Sequence, residues 1–210
     1  MNRARRRRET KDFRRKFGQR GQIKNLILIV CESKQTEPNY FRGFKLTNVD
    51  VDGAGADPMT VVERAKEIVL EQHKLGKNYD QIWCVFDRDE FPAERFNNAI
   101  ITTRQLKNFH SAYSNEAFEL WYVLHFEYLN SGIMRQDYIK KLNEYLDCPY
   151  KKNDPTIYQL LLEKGDQQYA IRNAERLLAC YSPSNPCEDN PSTTVHELVK
   201  VLNQYKLKVH

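Results

Sequence analysis

The chain has 210 residues, 40% of them hydrophobic and 29% charged, with a formal net charge of +5. That balance suits one soluble globular domain with a sizeable core and excludes a membrane protein, because no apolar stretch approaches the length of a spanning helix. The charge is uneven: residues 1–24 hold eleven Lys and Arg against Glu9 and Asp12, a balance of +9 that leaves −4 for the rest.

The basic stretch, residues 1–24, is read as an N-terminal arm. It lacks an apolar segment behind its charges, so it does not read as a secretory signal. Arg5, Arg6, Arg7, Arg8, Arg14, Arg15 and Lys16, with Phe13 and Phe17 among them, suit the phosphate backbone of a nucleic acid, since cations that displace counterions give affinity without sequence specificity. A solvated tail, or a patch docking on an acidic partner, are the alternatives.

Residues 25–31, an apolar run ending at Cys31, predict a first buried strand, with Glu32 directly after it. A short helix over 36–44 and a second strand over 46–51 follow. Asp57-Pro58 is a helix start, Asp as cap and Pro in the first turn, for a helix over 59–75 that Gly76 ends. Gly53 and Gly55 read as a tight turn before it; an anion site at the helix N-terminus is the other reading, but the pair makes no nucleotide fingerprint. Residues 79–86 predict a third strand, delivering Asp87-Arg88-Asp89-Glu90. A helix over 92–107 and a strand over 108–113 complete a β-α-β-α-β-α-β alternation, the pattern of a parallel sheet with helices on both faces.

The remainder reads as helical, over 115–129, 135–146, 155–163, 167–181 and 193–206, with a loop rich in Pro and Asn at 182–191. Ser114 is read as the cap of the first of these, placing Glu116 and Glu119 in its opening turns. They either face the crevice beyond the sheet or complement the helix dipole. His125, at a core-like spacing, reads as a packed residue. Five cysteines without a C-x-x-C pair argue against a zinc site and for a cytoplasmic location, with Cys31 and Cys84 buried in strands. No Walker A sequence supports an ATPase, and no G-x-S-x-G a serine hydrolase.

In open α/β sheets ligands bind beyond the carboxyl ends of the strands. If the first and third strands are neighbours, Glu32, Asp87 and Asp89 converge there. Acids at strand ends also cap helices or solvate loops. Three carboxylates in one crevice, however, are reconciled by a hard cation such as Mg²⁺, which keeps water and phosphate oxygens as its other ligands. That points to phosphoryl chemistry on a nucleotide or nucleic acid.

The stretch from Ile27 to Phe41, an apolar strand followed by Cys-Glu-Ser-Lys-Gln-Thr-Glu-Pro-Asn-Tyr-Phe, resembles the opening motif of the RloB family. The basic N-terminus, Asp87 to Glu90, Ser114 to Trp121 and Asn190 to Leu198 also resemble that family's later segments, so the likeness spans nearly the whole chain. It implies a divergent Toprim-type domain, the fold of topoisomerases, primases and related nucleases. The implied architecture is α/β and Rossmann-like, with a parallel sheet of about four strands, helices on both faces and a helical C-terminal elaboration. Residues 25–130 would form the core and 131–210 the elaboration packed on it.

The resemblance further implies a nuclease of antiviral or abortive-infection defence acting on DNA or RNA, tRNA included, beside an AAA- or ABC-type ATPase and compatible with an oligomer. Mg²⁺ or Mn²⁺ would be the cofactor. Glu32 would be the family glutamate, general base or metal ligand, with Asp87 and Asp89 as the metal pair. Glu116 is assigned to a second metal position, with Glu37, Glu90 and Glu119 as further candidates. Ser33 departs from the motif, which has Gly there. The rival reading is a non-catalytic subunit that binds nucleic acid or a partner. A topoisomerase needs a nucleophilic tyrosine, and none of the twelve stands out.

Overall fold

A computed structural model describes residues 25–89 and 91–206. The arm at 1–24 and Glu90 lie outside the described residues. In chain order the elements are β1 (Ile27–Cys31), α1 (Thr36–Arg42), β2 (Val49–Gly53), α2 (Pro58–Lys74), β3 (Gln81–Asp87), α3 (Ala93–Gln105), β4 (Phe109–Asn115), α4 (Glu119–Val123), α5 (Arg135–Leu146), α6 (Ile157–Lys164), α7 (Gln167–Leu178), β5 (Ser192–Thr193) and α8 (Val195–Lys206).

The sheet runs β2-β1-β3-β4-β5, and the first four strands are parallel. Every residue of β1 is buried, as expected of a strand covered on both faces. Its odd residues Ile27, Ile29 and Cys31 join Trp83, Val85 and Ala112 under α1 and the C-terminal helices. Its even residues Leu28 and Val30 join Ile82, Cys84 and Phe86 under α2 and α3. This is a Rossmann-like α/β arrangement, as expected. Asp57 caps α2 as predicted, accepting the Met59 amide at 3.1 Å, with Pro58 as the first helical residue. All five cysteines are free, and Cys31 and Cys84 are buried. Among the described residues no helix is long and apolar enough to cross a membrane.

The four parallel strands are as expected, and among the described residues a fifth joins them, because Ser192 and Thr193 pair antiparallel with Asn115 and Ser114 at the edge. A two-residue strand has no periodicity to read. That pairing also moves the start of the next helix. Residues 114 and 115 remain in β4, Ser114 Oγ meets Thr193 Oγ1 at 3.1 Å instead of capping, and the predicted helix over 115–129 contracts to α4.

Candidate functional site

β1 and β3 are neighbours, and the helices that follow them lie on opposite faces of the sheet. Their outgoing loops therefore diverge, which leaves a crevice at a topological switch point. Here the crevice is an open cleft of about 190 Å³, whose walls include Glu32, Glu37, Asp87, Asp89, Glu119 and Arg135.

Glu32 is fastened on three sides. Its amide donates to Val85 O at 2.8 Å, and its carbonyl accepts Gly55 N–H at 2.7 Å and Ala56 N–H at 3.2 Å. Its Oε2 accepts the Asp87 amide at 3.0 Å, a bond that ties the end of β1 to the end of β3. Gly53 makes this possible: a Cβ there would lie 2.6 Å from Ser33 O and 2.7 Å from Lys34 Cα. Gly55 adopts φ +69°, which favours glycine. Since the Gly55 and Ala56 amides are bound to Glu32, the glycines serve a turn, not an anion.

Asp87 ends β3 and is 5% exposed. Its Oδ2 accepts the Phe118 amide at 3.0 Å, while Oδ1 is buried without a partner among the described residues. Burial, then the charges of Glu37, Glu32 and Glu119, raises its carboxyl well above the usual range. Asp89 takes φ +35° and donates its amide to Glu116 O at 3.2 Å. Arg135, the first residue of α5, places Nη2 at 3.3 Å from Asp89 Oδ2 and 3.7 Å from Asp87 Oδ2.

The cleft floor carries two further acids. Glu37 in α1 is 4% exposed and accepts the Ser33 hydroxyl. Glu119 in α4 is 2% exposed and accepts Tyr150 O–H at 3.2 Å. Burial, then Glu32 and Glu119, pushes Glu37 up to about 8. Burial, then Asp89, pushes Glu32 up to about 7 against the pull of the Asp87 amide. A buried carboxyl near other acids holds its proton more tightly.

Glu116 lies elsewhere, in a separate depression with Asp137 and Asn190. With residues 114 and 115 retained in β4, no helix starts at residue 115 to turn Glu116 inward. Thr36 Oγ1 reaches Asn153 Oδ1 at 3.5 Å. His125 is packed, as read: its Nδ1 lies 2.9 Å from Trp121 O, and burial lowers it to about 4.

Arg135, Lys152 and Tyr150 were not anticipated. The signal for Arg135 is its position, because a cation in a first helical turn opposes the helix dipole. Glu37 has one too, sharing a helical stripe with Tyr40, Phe41 and Phe44, all buried.

Among the described residues no three His, Cys, Asp or Glu side chains form a group that could hold a metal ion as they stand. The donors around Arg135 are nevertheless carboxylate oxygens, and the unpartnered Oδ1 of Asp87 is the kind of hard ligand that Mg²⁺ or Mn²⁺ takes.

A family model described as RloB-like protein matches residues 27–202. No curated protein and no solved structure matches the chain.

Proposed function

The chain belongs to the RloB-like family, and on that footing we propose that its cleft hydrolyses phosphodiester bonds of DNA or RNA with the help of Mg²⁺ or Mn²⁺. The observation that carries this reading is the junction of Glu32 and Asp87 at the ends of β1 and β3, with Asp87 Oδ1 buried and unpartnered. Glu32, Asp87 and Asp89 would hold the cation. Once bound, it supplies a Lewis acid for the phosphoryl oxygens and a water of lowered pKa.

The chain's own groups do the rest. Where Asp87 and Asp89 alone hold the cation, Glu32, raised to about 7, would instead accept a proton from water near neutral pH. The Phe118 amide holds Asp87 against the cleft wall. The basic arm, residues 1–24, would hold the nucleic-acid backbone. In the same reading the protein is a defence effector that works with an AAA- or ABC-type ATPase, and tRNA is among its candidate substrates.

One observation favours the rival, a non-catalytic binding subunit. Arg135 already pairs with Asp87 and Asp89, as a purely structural ion pair would.

The test is a Mn²⁺ titration by calorimetry on the full chain and on Asp87→Asn/Asp89→Asn, followed by cleavage assays on DNA and tRNA. Saturable binding is expected in the wild type and lost in the variant. Cleavage should fall by at least about a hundredfold with circular dichroism unchanged, since even outer-shell changes at metal sites cost 10–100-fold. A binding subunit would instead be indifferent to the double substitution and sensitive to removal of residues 1–20.

A further inference from the structure

The cleft is acidic at its floor, yet α5 delivers a guanidinium into it. Arg135 stands at the first helical position, where the dipole disfavours a cation, so helix stability does not account for it there. What holds it is Asp89 at 3.3 Å and Asp87 at 3.7 Å. Neither distance is the about 2.7–2.9 Å of a tight charge-assisted bond. The side chain is 32% exposed against 8% for that of Asp87, so the guanidinium is the more solvent-accessible partner of the pair. Burial lowers the Arg135 pKa and the charges of Asp89, Asp87 and Glu119 more than restore it, so it is a permanent cation. Lys152 also lines the cleft, from its exposed rim.

We propose that Arg135 is a positioning residue shared between the Asp87/Asp89 pair and the phosphodiester. In the free protein it pairs with both carboxyl groups; when a divalent cation takes them, the guanidinium turns to the phosphate. The proposal rests on the reading of the cleft as a metal-dependent phosphodiester site.

The physical argument is competition for one pair of acids. A guanidinium and a divalent cation held by the same two carboxyl groups repel each other, so each weakens the other's hold. A phosphate offers the planar fork of N–H donors an alternative acceptor. Drawing Arg135 away removes the competitor, so phosphate tightens metal binding and, by linkage, metal tightens phosphate binding.

The experiment is calorimetric titration of Mn²⁺ into the full-length wild type, Arg135→Gln, Arg135→Lys and Asp87→Asn/Asp89→Asn, alone and with a saturating short phosphorothioate DNA oligonucleotide. Thermal unfolding of each variant establishes that it is folded. Arg135→Gln is expected to bind Mn²⁺ about tenfold more tightly than wild type without the oligonucleotide, within the usual range of coupling between sites. The wild type should gain a similar factor when the oligonucleotide is added, and Arg135→Gln should gain much less. Arg135→Lys keeps the charge without the fork, so it should resemble wild type alone and lose most of the gain.

Equal Mn²⁺ affinity in wild type and Arg135→Gln, under both conditions, overturns the role of Arg135 and leaves the metal site standing. No Mn²⁺ binding by wild type or either Arg135 variant overturns the cleft reading, and the role of Arg135 with it.

Discussion

The face of the sheet under α2 and α3 is an apolar cluster of Leu28, Val30, Val61, Val62, Phe86, Phe96 and Ile100. The opposite face, under α1 and α4 to α8, is aromatic and sits beside acids. The Tyr40 ring lies 5.3 to 6.5 Å from Phe41, Phe44, Phe118, Trp121, Tyr122 and Tyr158, and the same two helices α1 and α4 supply the buried Glu37 and Glu119. The first face packs helices that immediately follow or precede the strands they cover. The second is assembled largely from the C-terminal half. The difference separates scaffold from site: one face fixes the strands, and the other shapes what lies beyond their carboxyl ends.

The largest expected effect tests that separation directly. Phe96 is fully buried and edge-on to Phe86 and Tyr113 at 5.6 and 5.4 Å. Phe96→Ala should lose about 3–5 kcal/mol in urea unfolding, the usual cost of deleting a buried ring. Below the unfolding transition, its Mn²⁺ affinity should equal that of wild type. Phe118→Ala, on the other face, should lose a comparable amount and also weaken Mn²⁺ binding, because the ring packed on Tyr40, Phe41 and Tyr122 fixes the amide that holds Asp87. Equal effects of the two substitutions on metal binding would dissolve the distinction between the faces.

The scaffold face was also the more legible in the sequence. β1, α2, β3 and α3 announce themselves by continuous apolar runs, by the Asp57-Pro58 start and by Gly76, all local signals. Glu32 and Asp87 were legible for the same reason, each closing a buried strand. The site face depends on contacts that no local pattern encodes. β5 finds β4 across nearly eighty residues of chain, and that pairing, not any helix propensity at 115–118, decides that Glu116 is left outside the cleft. Glu37 and Glu119 reach it because their neighbours on α1 and α4 are core aromatics. Arg135 comes from a helix whose placement only tertiary packing determines.

A smaller effect separates the faces by pH. Burial raises Glu37 to about 8 and Glu32 to about 7, so the folded state retains protons that the unfolded chain releases near its ordinary value. The sign follows: their contribution is full below the unfolded pKa and is lost as pH rises through the folded values. Buried His125 and His196, both lowered to about 4, act in the opposite sense, but only below about pH 6.5. Between about pH 6.5 and 9 the metal-free protein should therefore lose stability, by a few kcal/mol, with Asp87, raised well above its usual range, adding to Glu37 and Glu32 in the same direction. Glu37→Gln should make that dependence shallower, leaving the part owed to Glu32 and Asp87. A slope unchanged in that variant would place the titration elsewhere than the cleft floor.

The smallest effect asks how dry the site face is. Among the described residues the Tyr122 hydroxyl is buried without a partner, although its ring packs edge-on to Phe118 at 5.3 Å and near Tyr150 at 6.1 Å. Burial raises its pKa, and the charges of Glu119 and Glu37 push the same way, so the hydroxyl stays protonated beside the cleft floor. An unsatisfied buried O–H costs desolvation free energy that no hydrogen bond returns, whereas the ring's packing survives its removal. Tyr122→Phe should therefore leave stability unchanged or raise it by about 1 kcal/mol. The opposite sign, a loss of about 1 kcal/mol, would mean that an ordered water joins Tyr122 to the acids. In that case the wet region of the cleft extends a layer deeper into the aromatic face, and the boundary between scaffold and site lies at the rings of Tyr40 and Tyr122, not at Glu37 and Glu119.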